Sequence, residues 1–443
     1  MNGLAVLQST AWYPPYSLGG TEVYLEGLTA ALADLGVVST VLAPRHADAP
    51  LEYEHAGVRV ETYPVNESPT REEFKFGRPH EGFETFRAHL RRRRSAIYHQ
   101  HSWTRGCGPH HLRAARELGM RTVLTVHVPG VTCLRGTMIK FGASPCDGYV
   151  EAKECGACWA ESRGLPQPIA KAVARLPLAI GQCARRRHSR FATALSARWL
   201  GAEQLKRIAE MIVHADRVVA VCQWLYEALA INGVPTDKLT LSRQGLSKAD
   251  LGALKSVDAM RSSRESPLRL LFMGRWDPVK GVDVVVRALR LLSQDASVRL
   301  TICAVPAPAG EDAYERKVRA LAASDRRIVI RDPVARKDLA ATLAEHDALV
   351  IPSTGLETGP LTALEAQAAG LFVLGSRRGG IAELVNEADG AGALVEAADV
   401  TAWAQAITRL AALHAQGRLN LPGRAVRTMA AAAAEMAQLY GAL

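Results

Sequence analysis

The sequence predicts an α/β protein of two domains, each built on a parallel sheet. Three observations point there. Short apolar runs of β-type residues alternate with helical patterns, the pattern of βαβ units. The alternation stops at a polar, turn-rich stretch, Ser247–Pro267, and then begins afresh. The chain has 443 residues, room for two or three domains at about 100–200 residues each.

In the first half the strand-like runs are Leu4–Leu7, Thr40–Leu42, Ala96–His99, Thr122–Val126 and Arg217–Val221. Between the first two lies a helix, Thr21–Leu35, with Tyr24, Leu28, Ala31, Leu32 and Leu35 on one face. Gly36 supplies its stop signal. Residues 128–212 break the rhythm. They show no convincing strand and read as a Cys-rich, mostly helical insertion in the first domain. In the second half the strands are Leu268–Met273, Val298–Cys303, Arg327–Ile330, Ala348–Ile351 and Phe372–Leu374. The predicted domains are 1–245, with the insertion, and 246–425. The C-terminal segment 426–443 is read as a last helix, its pattern running from about Arg424 to Tyr440, with no assigned place.

Composition excludes several classes. With 48% apolar and 22% charged residues the chain is not disordered. Its 36 Gly and 22 Pro are ordinary usage, so it is not collagen-like. No apolar run of about 18 residues is present, so no spanning helix is expected. The N-terminus lacks a basic segment followed by an apolar stretch, which predicts no secretory signal and a cytoplasmic chain with reduced cysteines. The net charge is +10, and it is uneven. Residues 160–200 hold eight Lys or Arg and one acid.

Three loops carry candidate chemistry. Gly19 and Gly20 sit between the first strand and first helix, where glycine lets backbone approach a ligand. Gly274-Arg275-Trp276-Asp277-Pro278-Val279-Lys280-Gly281 follows the strand Leu268–Met273 and precedes a helix, Val282–Leu292. Lys280 there opposes the helix dipole, by about 0.3–1 kcal/mol when exposed, unless an anion satisfies both. Arg275 can fork onto phosphate oxygens. Glu357-Thr358-Gly359-Pro360-Leu361-Thr362-Ala363-Leu364-Glu365 follows the strand Ala348–Ile351 and opens a helix at Pro360. Its two carboxylates cannot share a helical face by spacing. The amides of Leu361 and Thr362 suit a phosphate, and Glu365 suits a pair of ribose hydroxyls.

In order and spacing these motifs resemble those of the family 4 retaining glycosyltransferases. The resemblance covers roughly 1–127 and 213–425. It implies two Rossmann-like domains facing a cleft, the GT-B fold, and transfer of a sugar from a nucleoside-diphosphate sugar to a saccharide, lipid-linked or small-molecule acceptor. It implies that Arg275 and Lys280 bind the diphosphate and Glu365 the ribose. Glu357 and His127, which ends the strand Thr122–Val126, would meet the donor sugar. Donor binding needs no metal in such enzymes, and the sequence has no Asp-x-Asp motif. The usual Asn-Gly pair is here Arg243-Gln244-Gly245.

The insertion carries Cys133, Cys146, Cys155 and Cys158, the last two as Cys-Gly-Ala-Cys. Four thiolates with one Cys-x2-Cys pair suit structural zinc, with iron–sulfur the second choice. Cys107, Cys183, Cys222 and Cys303 read as small buried hydrophobes. In Gln167–Leu200, apolar residues beside Arg185, Arg186, Arg187 and Arg190 suggest peripheral contact with an anionic membrane at its inner face. The rival reading is a non-catalytic zinc-containing binder of nucleic acid or anionic surfaces. With only 6% aromatic residues, not interleaved with the basic runs, nucleic acid is not expected.

Overall fold

The computed structural model describes all residues except 1–2, 17–18, 48, 71–72, 74–77, 186, 188, 256–266, 307–311 and 420. Ser17 and Leu18 of the glycine loop, Arg186, and most of the turn-rich stretch therefore lie outside the described residues. The chain divides into two compact units, 1–243 with 429–443, and 244–428.

Among its described residues the first unit has ten strands: β1 (Leu4–Ser9), β2 (Val37–His46), β3 (Glu52–His55), β4 (Val58–Val65), β5 (Ile97–Gln100), β6 (Thr122–Val126), β7 (Ile139–Lys140), β8 (Ser144–Pro145), β9 (Arg217–Ala220) and β10 (Leu239–Leu241). Eight form one sheet in the order β10-β9-β6-β5-β1-β2-β4-β3. All pairs in it are parallel except β3 with β4. The helix Gly20–Ala33 forms because Tyr24, Leu25, Leu28 and Leu32 recur on one buried face. The last helix starts at Met429, not near Arg424, and runs to Gly441. Its Met429, Ala433, Met436 and Tyr440 share an apolar cluster with Tyr24, Leu28 and Leu32. That burial gives it its place in the first unit.

Residues 128–212 are not strand-free. A small antiparallel pair, β7 with β8, stands apart from the main sheet. Among the described residues five helices follow: Ala152–Ser162, Gln167–Arg175, Leu178–Ala184, Arg190–Leu195 and Ala197–His214. The pair was unreadable because its strands are two residues each, too short for any alternation to show.

The second unit holds β11 (Leu268–Arg275), β12 (Val298–Val305), β13 (Ile328–Arg331), β14 (Ala348–Ile351), β15 (Phe372–Ser376) and β16 (Gly392–Val395). They make one parallel sheet, β13-β12-β11-β14-β15-β16. Leu270, Leu271, Val350, Ile351 and Leu374 are buried, as expected where both faces of a parallel sheet are covered. Among the described residues no helix is long and apolar enough to cross a membrane.

Candidate functional site

β11 and β14 are neighbours and run parallel, so the loops that follow them leave the same edge of the sheet. In open α/β sheets that carboxyl edge is where ligands bind. The two loops touch. The Thr354 amide donates to the Val279 carbonyl at 2.8 Å. Gly281 holds φ +68°, and a Cβ there would stand 2.1 Å from the Pro352 carbonyl oxygen. Only glycine fits this crossing. The contact brings Lys280 and Glu357 together, 77 positions apart, with Nζ to Oε1 at 2.7 Å.

Lys280 is therefore not an unsatisfied cation waiting for an anion. Glu357 is its counter-charge, and the helix dipole does not by itself imply a ligand. The Ser353 hydroxyl donates to the same Glu357 oxygen at 2.7 Å. Burial pushes the Glu357 carboxyl up, but Lys280, the Ser353 hydrogen bond and the more distant Arg275 outweigh it. The net direction is down. Arg275 itself is half exposed, with Asp277 3.7 Å away. Asp277 accepts from the Val279 amide at 2.8 Å and shapes the turn.

The next helix runs Leu361–Ala368. Pro360 is its cap residue and not, as the sequence suggests, its first helical one. No side chain caps this end, and Leu361 and Thr362 supply the first helical amides. Glu365 lies one turn further on and is 3% exposed. Its partner is Arg336, which donates to Oε1 and also reaches Asp250 at 2.5 Å. Burial raises the Glu365 carboxyl, and Arg336 only partly offsets that. Arg336 and Ser353 were missed in the sequence. Ser353 follows β14 and could have been suspected. Nothing marked Arg336, 29 positions from its partner.

The remaining candidates lie in the first unit. Gly19 is the extended cap residue of its helix, and Gly20 is the first helical residue. A Cβ on Gly19 would meet the Glu22 carboxylate at 2.6 Å, whereas at Gly20 nothing lies within 4 Å. His127, just past β6, is buried, and burial takes its imidazole down to about 3. It is neutral at pH 7. Its ring packs edge-on to Tyr24 with centroids 4.9 Å apart. Tyr24 lies one turn into the helix that Gly20 opens, so the glycine loop and His127 are neighbours through that helix. His127 Nε2 is 3.3 Å from His101 Nδ1.

Cys133, Cys146, Cys155 and Cys158 gather around β7 and β8. Cys146 directly follows the pair, while Cys155 and Cys158 stand on the helix Ala152–Ser162. Burial, then the neighbouring Cys133, Cys146 and Cys158 thiols, push the Cys155 thiol up to about 12. The Phe141 amide donates to Cys158 Sγ at 3.2 Å. Yet among the described residues no group of three or more His, Cys, Asp or Glu side chains is placed to hold a metal. The four thiols share a region without standing as a ready ligand set. Three of them donate to separate oxygens, Cys146 to Asp147, Cys155 to Tyr149 and Cys158 to Ile139. Cys107, Cys222 and Cys303 are buried as expected, but Cys183 is exposed.

Comparison with known proteins gives these residues a context. The family described as "Glycosyl transferase 4-like domain" matches residues 19–243, and "Glycosyl transferases group 1" matches 267–412. A D-inositol 3-phosphate glycosyltransferase of Corynebacterium efficiens is 34% identical over 31% of this chain and 33% of its own length. One from Pseudarthrobacter chlorophenolicus is 26% identical over 88% of this chain and 82% of its own. The match thus spans about a third of the first relative and most of the second. Among solved structures, Anabaena HepE in complex with UDP and glucose has a TM-score of 0.62 at 14% identity, covering 99% of both chains. That likeness establishes the two-domain α/β architecture.

Proposed function

Because the chain belongs to the group 1 and 4-like glycosyl transferases, we propose that it moves a sugar, with retention, from a nucleoside-diphosphate sugar to an acceptor. The observation that carries this reading is the loop pair at the carboxyl edge of the second sheet. It places Lys280 on Glu357 at 2.7 Å, in the same edge region as the half-exposed Arg275 and a helix end that no side chain caps. An incoming diphosphate would take Lys280, Arg275 and the Leu361 and Thr362 amides. These groups would stabilise the charge that builds on the leaving group. The ribose would compete with Arg336 for Glu365. Glu357, freed from Lys280, and the neutral His127 would act on the donor sugar. The structure of the HepE complex, named for UDP and glucose, supports a nucleotide-sugar donor. A screen of nucleotide-sugars for slow hydrolysis, with the released sugar followed by proton NMR, tests both parts. One donor should be cleaved with its anomeric configuration kept and with chelator present. Release of the opposite anomer would remove the retaining assignment.

Two further readings belong to the first unit. The reading of zinc at Cys133, Cys146, Cys155 and Cys158 rests on the Cys-x2-Cys pair on one helix, with Cys146 beside β8, and on the amide donated to Cys158. Contact with an anionic membrane is supported by exposed apolar side chains: Ile169 is 53%, Leu178 42%, Ile180 40% and Phe191 75% exposed. Arg187 and Arg190 are exposed beside Phe191. Arg185 is not available in the same way, since its guanidinium lies over Trp199 at 5.0 Å.

A further inference from the structure

We propose that His101 is a positioning residue that fixes which nitrogen of His127 carries the proton, and that its own state is set from Gln8 and the C-terminal helix. The inference rests on the reading above that His127 acts on the donor sugar. Six buried side chains form one run of hydrogen bonds. His127 Nε2 is 3.3 Å from His101 Nδ1, and His101 Nε2 is 2.8 Å from Gln8 Oε1. Gln8 Nε2 donates to the Tyr440 hydroxyl at 3.4 Å. The Tyr440 hydroxyl is 2.6 Å from His99 Nδ1, and His99 Nε2 is 2.7 Å from Thr125 Oγ1.

The directions follow from what each atom can do. Burial holds all three imidazoles neutral, so each has one donor and one acceptor nitrogen. Gln8 Oε1 can only accept. His101 must therefore place its proton on Nε2, which leaves Nδ1 as its acceptor. His127 must then donate from Nε2, and Nδ1 becomes the acceptor of that ring. On the other side Gln8 donates to Tyr440, whose hydroxyl proton goes to His99 Nδ1. His99 keeps its own proton on Nε2 for Thr125. No bond in the run conflicts with another.

The fold explains why these residues meet. Gln8 is on β1, and His99 is on β5 with His101 just past its end. Thr125 is on β6 with His127 just past it. These three strands are neighbours in the order β6-β5-β1. Tyr440 comes from the helix Met429–Gly441, which packs in the same unit. The last helix thus reaches the candidate site through a hydroxyl that nothing in its own Ala-rich pattern advertised.

The test uses the full chain labelled with 15N-histidine and two kinds of readout. Long-range proton–nitrogen spectra should show His127 as the Nε2–H form in the wild type. In Gln8→Met, or in Tyr440→Phe should Gln8→Met not fold, the histidine tautomers of the run should become mixed. In transfer assays His101→Gln, which has no acceptor at the Nδ1 position, should lower kcat by at least about tenfold with the donor KM held within about twofold. His101→Asn, whose Oδ1 can replace Nδ1, should recover most of that loss. Unchanged tautomers in the variant that folds, or equal kcat for His101→Gln and His101→Asn, would overturn the proposal. Full transfer by His127→Ala would instead remove the role given to His127, while the spectra still report on the run itself.

Discussion

Glu357 and Glu365 stand in one motif, yet their surroundings push them in opposite directions. Glu357 is held below the ordinary carboxylate range, so the stability it contributes is present above its unfolded value. That stability is lost as pH falls through the lowered folded value. Glu365 is raised, so its contribution is present below its unfolded value and is lost as pH rises through the folded one. At pH 7 Glu357→Gln should therefore lower the melting temperature, since Lys280 loses a charged partner worth about 1.5–3 kcal/mol. Glu365→Gln should leave the melting temperature unchanged or raise it, because Arg336 keeps Asp250. Near about pH 4, where model carboxylates are half protonated, the Glu357→Gln deficit should shrink. Calorimetry separates function from stability. Glu365→Gln should weaken nucleoside-diphosphate binding, whereas Glu357→Gln should spare it and lower turnover. The reverse pattern would mean that the two roles are exchanged. None of these partners was readable from spacing. Eight residues between two acids say nothing about Lys280 or Arg336, which only the β11–β14 pairing and the fold of the β13 loop bring close.

Secondary-structure elements were legible where burial was two-sided. β6 and β14 coincide with the predicted runs because a central parallel strand, buried on both faces, is dominated by apolar and β-branched residues, TVLTV in β6 and ALVI in β14. β3, at the sheet edge, and β4, beside it, were passed over because charged residues interrupt their apolar ones, as in Glu52–His55 and Val58–Val65. The alternation Val58, Val60 was a usable signal. Polar residues inside β5, His99 above all, looked like a strand end and proved to be buried hydrogen-bonding groups. In the region 128–212 the helices were expected, as were apolar residues set beside a cationic cluster, and Ile169, Leu178 and Ile180 are exposed there. Two measurements follow. Elemental analysis of protein purified without chelator should find about one zinc per chain, lost on replacing Cys155 and Cys158. Metal-free protein of normal stability would leave four structural thiols. Co-sedimentation with anionic vesicles should fall on changing Phe191, Arg187 and Arg190 together, and with salt, at about 1 kcal/mol per cation. Protein that stays in the supernatant at low salt would remove the membrane reading.

The whole chain crosses between its two units twice, after Arg243 and after Thr428. Within the second unit the two crossing segments are tied by the bridge from Leu246 to Thr428. On the other side Ser242 donates to Glu435 at 2.6 Å, which fixes the return of the last helix. The two large sheets and the family resemblance were legible in the sequence, because both rest on local runs and short loops; the small β7–β8 sheet was not. The return of residues 429–443 to the first unit was not, since an Ala-rich helix packs wherever a small groove receives it. The proposed transfer depends above all on Arg275 and Lys280 as the diphosphate site. Titration calorimetry with UDP, and with ADP and GDP in parallel, addresses it directly on wild type, Arg275→Ala and Lys280→Ala. One of the three nucleotides should bind the wild type. Each variant should then bind it more weakly by at least about tenfold, the loss of one charge-assisted contact, with melting temperature largely kept for Arg275→Ala. Binding by both variants at wild-type affinity would contradict that role.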